Sequence, residues 1–85
     1  MAVKLRYFAW VRERIGRGEE ELSPPDEVTT IAGLVEWLKT QGEEYQLAFA
    51  QSDVIRAAIN MTHVEANASF EPGAEIAFFP PVTGG

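Results

Sequence analysis

The 85-residue chain ends in Gly84-Gly85, contains no cysteine, and carries a single histidine, His63. Thiolate nucleophiles, disulfides, iron–sulfur ligation and zinc–thiolate sites all need a sulfur that is absent. The group left with a distinctive chemistry is the carboxylate of Gly85. A carboxylate is a poor electrophile, but adenylation by ATP gives it a good leaving group, and a sulfur nucleophile that displaces AMP leaves a thiocarboxylate. Neither glycine has a side chain, so such a terminus can enter a narrow channel that a β-carbon would obstruct. Two terminal glycines alone are more often a frayed end or a cloning remnant, and the residues before them decide the matter.

Those residues are Pro80-Pro81-Val82-Thr83. The proline pair holds the backbone near a polyproline conformation and projects the terminal residues away from the body of the protein. Before it, Glu75 to Phe79 reads as a last strand, introduced by a turn at Glu71-Pro72-Gly73-Ala74. Residues 1–79 are therefore expected to form one domain and residues 80–85 an extended tail.

At the other end, Val3, Leu5, Tyr7 and Ala9 alternate with Lys4, Arg6 and Phe8, the period of a strand with one buried face. Trp10 to Ile15 reads as a short helical turn or loop ending at Gly16 and Gly18, both suited to positive backbone angles. Glu19 to Leu22 is a short edge strand, halted by Pro24 and Pro25, and would close a hairpin with the first. Ile31, Leu34, Val35 and Leu38 mark one face of a helix between Thr30 and Gly42, with Thr29 or Thr30 as cap and Gly42 as stop. Gly33, inside its first turns, would allow close packing on the sheet. Glu43 to Ser52 is a partly helical connection in which Tyr45, Leu47 and Phe49 could close one end of the core. Val54 to Met61 is strand-like, and Asn60 to His63 turns into a short strand around Val64. The fold class is α+β, with one main helix across one face of a mixed sheet of about five strands.

The 46% hydrophobic content belongs to a folded protein, and the length suits a single core. The net charge of -6 argues against nucleic acid or an anionic membrane as partner and favours a basic protein. Arg12, Arg14 and Arg17 cluster, but Glu13 and Glu19 to Glu21 offset them. No leader-like or membrane-spanning stretch is evident, so a cytoplasmic location is expected.

The stretch Glu75-Ile76-Ala77-Phe78-Phe79-Pro80-Pro81-Val82-Thr83-Gly84-Gly85 resembles the C-terminus of the molybdopterin synthase small-subunit family of ubiquitin-like sulfur carriers. Tyr7-Phe8-Ala9, Val11-Arg12-Glu13 and Gly16 are similar to that family's first strand and following turn. The resemblance implies the β-grasp fold of ubiquitin, with first and last strands parallel at the sheet centre. It implies that Gly85 is adenylated by a ubiquitin-activating-like adenylyltransferase using ATP, sulfurated from a sulfur donor protein, and inserted into the synthase large subunit. There its thiocarboxylate would give sulfur to cyclic pyranopterin monophosphate, forming the dithiolene of molybdopterin within a heterotetramer. Pro80, Pro81, Val82, Thr83 and Gly84 would thread the tail. Catalytic side chains would belong to the large subunit, and this chain would hold no permanent cofactor and no metal.

Strand alternation adds an expectation of its own. If Val3, Leu5, Tyr7, Ile76 and Phe78 face the helix, Phe8 and Phe79 lie side by side on the open face, an apolar docking patch. His63, where a turn meets the short fourth strand and with no second ligand or base nearby in sequence, reads as a surface or interface residue and a candidate for docking. Three rivals stand beside this reading: a sulfur carrier for thiamine or another thiolated product, which shares the fold and the Gly-Gly end but is usually shorter and lacks the Phe-Phe-Pro-Pro-Val-Thr approach; a ubiquitin-like modifier joined to lysines through Gly85; and a docking module whose tail has no chemistry.

Overall fold

The computed structural model describes residues 2–81. β1 (Val3–Tyr7) buries Val3, Leu5 and Tyr7 and exposes Lys4 and Arg6. It ends two residues before the expected Ala9, because α1 (Ala9–Ile15) starts there. Trp10 to Ile15 is thus helical throughout, with Val11 and Ile15 in the core. β2 (Glu19–Leu22) pairs antiparallel with β1, Val3 opposite Leu22 and Arg6 opposite Glu19, so the expected hairpin contains a helix in its connection. Gly16 ends α1 in the left-handed region at φ 89°, where only glycine is unstrained. Gly18 is not left-handed; its missing side chain leaves room for Arg12, whose Nε would lie 3.2 Å from a β-carbon there.

α2 (Ile31–Leu38) is the helix marked by the apolar spacing, and Ile31, Leu34, Val35 and Leu38 are its buried residues. Thr30 is its cap: the hydroxyl accepts from the Gly33 N–H at 3.2 Å, while the Ile31 and Ala32 N–H groups donate to Ala68 and Ala66 carbonyls at 3.0 and 2.8 Å. Its first free donors are thereby satisfied from two sides. Gly33 does not pack on the sheet, since a β-carbon there would meet only Thr30 and Val28. Gly42 does not stop this helix, which is over by Lys39 with the Thr40 hydroxyl on the Trp37 carbonyl at 2.6 Å. Gly42 instead precedes α3 (Glu43–Ala48), which turns Tyr45 and Ala48 inward and leaves Leu47 58% exposed.

A short 3₁₀ turn at Ser52–Val54 takes the start of the expected third strand, so β3 is Arg56–Ile59. Asn60 and Met61, at φ 48° and 72°, form the tight turn into β4 (Thr62–Val64), since two left-handed central residues match the twist of a hairpin. Asn60 is tied to the last strand: its Oδ1 accepts from the Glu75 N–H at 3.0 Å and its N–H donates to the Glu75 carbonyl at 2.8 Å. That strand, β5 (Glu75–Phe79), comes after the Pro72-Gly73 turn, with Gly73 at φ 85°.

The strands run in the order β2-β1-β5-β3-β4. β1 and β5 are parallel, from Lys4 beside Glu75 to Tyr7 beside Phe78, and every other pairing is antiparallel. Leu5, Tyr7, Ile76 and Phe78 form the floor of the core beneath α2, with Phe49 set edge-on to Phe78 at 5.1 Å.

Candidate functional site

β5 lies between β1 and β3, so the chain leaves the domain from the middle of the sheet. The Phe8 N–H donates to the Phe78 carbonyl at 3.1 Å, extending the β1–β5 ladder by one residue. Pro80 and Pro81 have no N–H to continue it, which fixes the exit at Phe79. Of the expected tail residues, Pro80 and Pro81 are half-buried, and Val82, Thr83, Gly84 and Gly85 lie outside the described residues.

Alternation puts Phe8 and Phe79 on the open face, Phe8 43% exposed and Phe79 half-buried. The rings do not form a pair with each other. Phe79 is tilted against the His63 imidazole at 5.1 Å, and Phe8 lies under the Arg6 guanidinium at 5.7 Å. The register explains the first contact. His63 on β4 faces Ala58 on β3, which faces Ala77 on β5, and a methyl between the outer strands lets the larger rings meet above it. Arg56, exposed on β3, is the direct neighbour of Phe79. On α1, Arg14 covers the Trp10 ring at 4.4 Å. Sequence reading brings Phe8 and Phe79 to this face and names His63 as an interface residue without placing it against Phe79, and it misses Arg6, Arg56 and the Arg14–Trp10 pair. The approach of Arg56 depends on strand order, whereas the two-residue step from Arg6 to Phe8 and the four-residue step from Trp10 to Arg14 are local signals.

The strongest titratable cluster is elsewhere. Glu20 accepts from Tyr7 and Tyr45 hydroxyls at 2.7 and 2.6 Å and from Arg17 at 2.8 Å, and Arg17 also donates to the Tyr45 oxygen at 2.9 Å. Burial works against the Glu20 carboxylate, but the hydrogen bonds from Tyr45, Tyr7 and Arg17 outweigh it and hold its pKa below the usual range. Burial first, and then the bond to Glu20, pushes the Tyr45 hydroxyl up to about 12 and the Tyr7 hydroxyl higher still. Each group is occupied by another, so the cluster clamps α3 to the β1–β2 pair and offers no free acid or base.

A groove of about 380 Å³ between α2 and β3–β4 has an apolar floor of Ile31, Val35, Ile55, Ala57, Val64 and Phe78. Glu36, Asp53, Arg56 and Glu65 stand around it. No cluster of three or more metal-ligating side chains exists among the described residues. Nor is any helix among them long and apolar enough to cross a membrane.

A mixed sheet with parallel first and last strands at its centre and a long helix across one face defines the ubiquitin-like β-grasp class. Within that class the ThiS family model matches residues 5–85, and the chain belongs to this family. The molybdopterin synthase sulfur carrier subunit of Escherichia coli K12 is 35% identical over 83 residues, covering 98% of this chain and 99% of its own length. The solved putative molybdopterin converting factor, subunit 1, of Pyrococcus furiosus superposes with a TM-score of 0.76 at 27% identity, covering 96% of this chain and 99% of its own. A chain of the complex of subunits 1 and 2 of molybdopterin-converting factor from Helicobacter pylori 26695 has the same fold, with a TM-score of 0.66, 21% identity and full coverage of both.

Proposed function

We propose that this chain is a sulfur carrier for molybdopterin synthesis whose reactive group is the Gly85 carboxylate. The observation that carries this reading is the likeness to sulfur carrier subunits over nearly the whole chain. The exit of β5 from the sheet centre into Pro80 and Pro81 agrees with it. So does the occupied state of the Glu20 cluster, which leaves the terminus as the place for chemistry.

The carboxylate attacks the α-phosphate of ATP in an activating adenylyltransferase, releasing pyrophosphate and giving an acyl-adenylate. The terminal sulfur of a donor protein's persulfide then attacks the acyl carbon and displaces AMP, and a second thiol cleaves the resulting acyl disulfide, releasing the Gly85 thiocarboxylate and leaving a disulfide on the donor side. Pro80 and Pro81 direct the tail, and Val82 to Gly84 thread it into the large subunit, where the sulfur passes to cyclic pyranopterin monophosphate and the carboxylate is regenerated. Phe8, Phe79 and His63 supply the docking face. The chain acts as a cytoplasmic co-substrate of the synthase, ATP being bound by the activating enzyme. No side chain of the carrier takes part in bond making.

The test is the intact mass of the chain after incubation with ATP, a sulfur source and extract of its own organism. An oxygen-to-sulfur increase on the terminal peptide is expected, and deletion of Gly85 should abolish it along with molybdopterin formation. No increase, in an extract that makes molybdopterin, would overturn the carrier reading. Isopeptide ladders on lysines would replace it with protein modification.

A further inference from the structure

The helix-covered face of the sheet is thinly filled beyond β5. There Ala57 on β3 stands between Phe78 on β5 and Val64 on β4, so a small residue separates two larger ones. Ile31 and Val35 of α2 wall this gap without filling it, and the groove of about 380 Å³ remains. Its width is set by the backbone. The Ala66 and Ala68 carbonyls accept from the Ala32 and Ile31 N–H groups at 2.8 and 3.0 Å, which ties the chain after β4 to the first turn of α2. The 3₁₀ turn at Ser52–Val54 brings Ser52 and Asp53 to the lining. A strap bonded at two points holds helix and strand at a fixed separation, so the groove is built into the fold.

Nothing in its floor would orient a small polar ligand. Such a site needs a few convergent polar groups, and no polar or charged residue is buried among the described residues. The charges stand at the rim, where each wall carries one acid: Glu36 on α2, Asp53 on the 3₁₀ turn and Glu65 after β4. Arg56 is the one base in the lining, and the β3–β4 register sets it opposite Glu65, which it offsets. Lys39 bridges Glu36 at 3.1 Å. Asp53 is left over, exposed and in none of the ion pairs among the described residues. An apolar occupant would desolvate that carboxylate, and a lysine or arginine on the occupant would compensate it.

From this we infer that the groove between α2 and β3–β4 is a second docking site, whose occupant is a short apolar segment of another protein flanked by Lys or Arg, one of them paired with Asp53. The net charge of -6 draws a basic segment toward it at long range. Ala57, Val64 and Phe78 face the groove, while their chain neighbours Ala58, His63 and Phe79 face the open side. The two surfaces thus lie on opposite faces of the same strands. A chain held by its open face keeps the groove accessible to a second protein.

The experiment titrates the isotope-labelled full chain with capped peptides and follows its amide chemical shifts. The peptides are Lys-Lys-Leu-Val-Ile-Lys, the same apolar core flanked by Glu, and the Lys flanks around Ala-Ser-Ala. The first should give saturable shifts at Ile31, Val35, Ile55, Ala57 and Val64, with about tenfold higher affinity than either of the others at low salt. Asp53→Arg should weaken it at least about fivefold more than Glu71→Arg, which makes the same change of charge at an exposed position in the turn before β5. Phe8→Ala, on the open face, should leave its affinity within about twofold of the parent. Absence of saturable shifts, equal affinity for the two Lys-flanked peptides, or equal losses from the two reversals would overturn the inference. So would shifts of the same signals on diluting the free chain, which mark a second copy in the groove, or tighter binding of indole than of the first peptide, which marks a small-molecule pocket. None of these readouts depends on sulfur at Gly85, so this inference and the carrier reading fail separately.

Discussion

The two faces of β1 and β5 are made by the same strands and could hardly differ more. Toward α2, Val3, Leu5, Tyr7, Ile76 and Phe78 are each at most 1% exposed. On the other side Lys4, Arg6 and Phe8 are exposed, and Phe79 is half covered by a histidine. A two-residue period divides the roles: one face supplies the folding free energy, and the other keeps aromatic surface available at little cost to the core. Substitutions should therefore separate cleanly into those that unfold the domain and those that leave it folded and unable to dock.

The largest effect is expected at Phe78, which contacts Tyr7 and Phe49 and is 1% exposed. Phe78→Ala should cost about 3–5 kcal/mol. That is a large share of the roughly 5–15 kcal/mol available to a small domain. Urea denaturation should show a sharply lowered midpoint. A normal midpoint would break the division of roles, because the covered face would then not carry the fold.

Next comes Glu20, whose carboxylate anchors the polar edge of the covered side. Glu20→Gln removes the charge that the Tyr7, Tyr45 and Arg17 donors share, and should cost about 1–3 kcal/mol at neutral pH. The pH profile gives the sharper check. The lowered pKa of Glu20 contributes stability above the ordinary carboxylate range and loses it as pH falls through the folded-state value. The raised Tyr45 value works in the other direction: its stabilisation is complete below the ordinary tyrosine pKa and is lost as pH rises through about 12. In Glu20→Gln both limbs should flatten. An unchanged profile would mean that the clamp contributes nothing to folding.

How far the molecule is legible in its sequence obeys the same division. Burial of Val3, Leu5 and Tyr7, the buried stripe of α2 and the Thr30 cap are visible because each is a local pattern. α1 is visible only as a helical turn or loop over Trp10 to Ile15, since seven residues make a marginal helix on their own and the burial of Val11 and Ile15 holds it. A strand's spacing through Tyr45, Leu47 and Phe49 would put Leu47 inside, whereas a helix brings in Tyr45, Ala48 and Phe49. Gly42 has the residue type of a helix stop, but the chain has already turned at Thr40. At the candidate site, the terminal glycines and the proline pair are legible as a motif. The meeting of His63 with Phe79 beside Arg56 is not, because these residues belong to three strands whose order no local pattern specifies.

The smallest expected change in stability falls at Phe8, and it tests the open face most directly. The ring is 43% exposed and its partner is a single guanidinium at 5.7 Å. Phe8→Ala should therefore alter folding by no more than about 0.5–1 kcal/mol, the scale of an exposed cation–π contact. In a docked complex the same ring would lie near the centre of the buried patch, where truncating an anchor costs about 2 kcal/mol or more, a loss of roughly thirtyfold in affinity. Urea denaturation and large-subunit binding measured on one preparation give the two quantities side by side. A stable protein that no longer docks would place the working surface of this carrier on the face that folding does not use. A destabilised one would show that Phe8 belongs, after all, to the rim of the core.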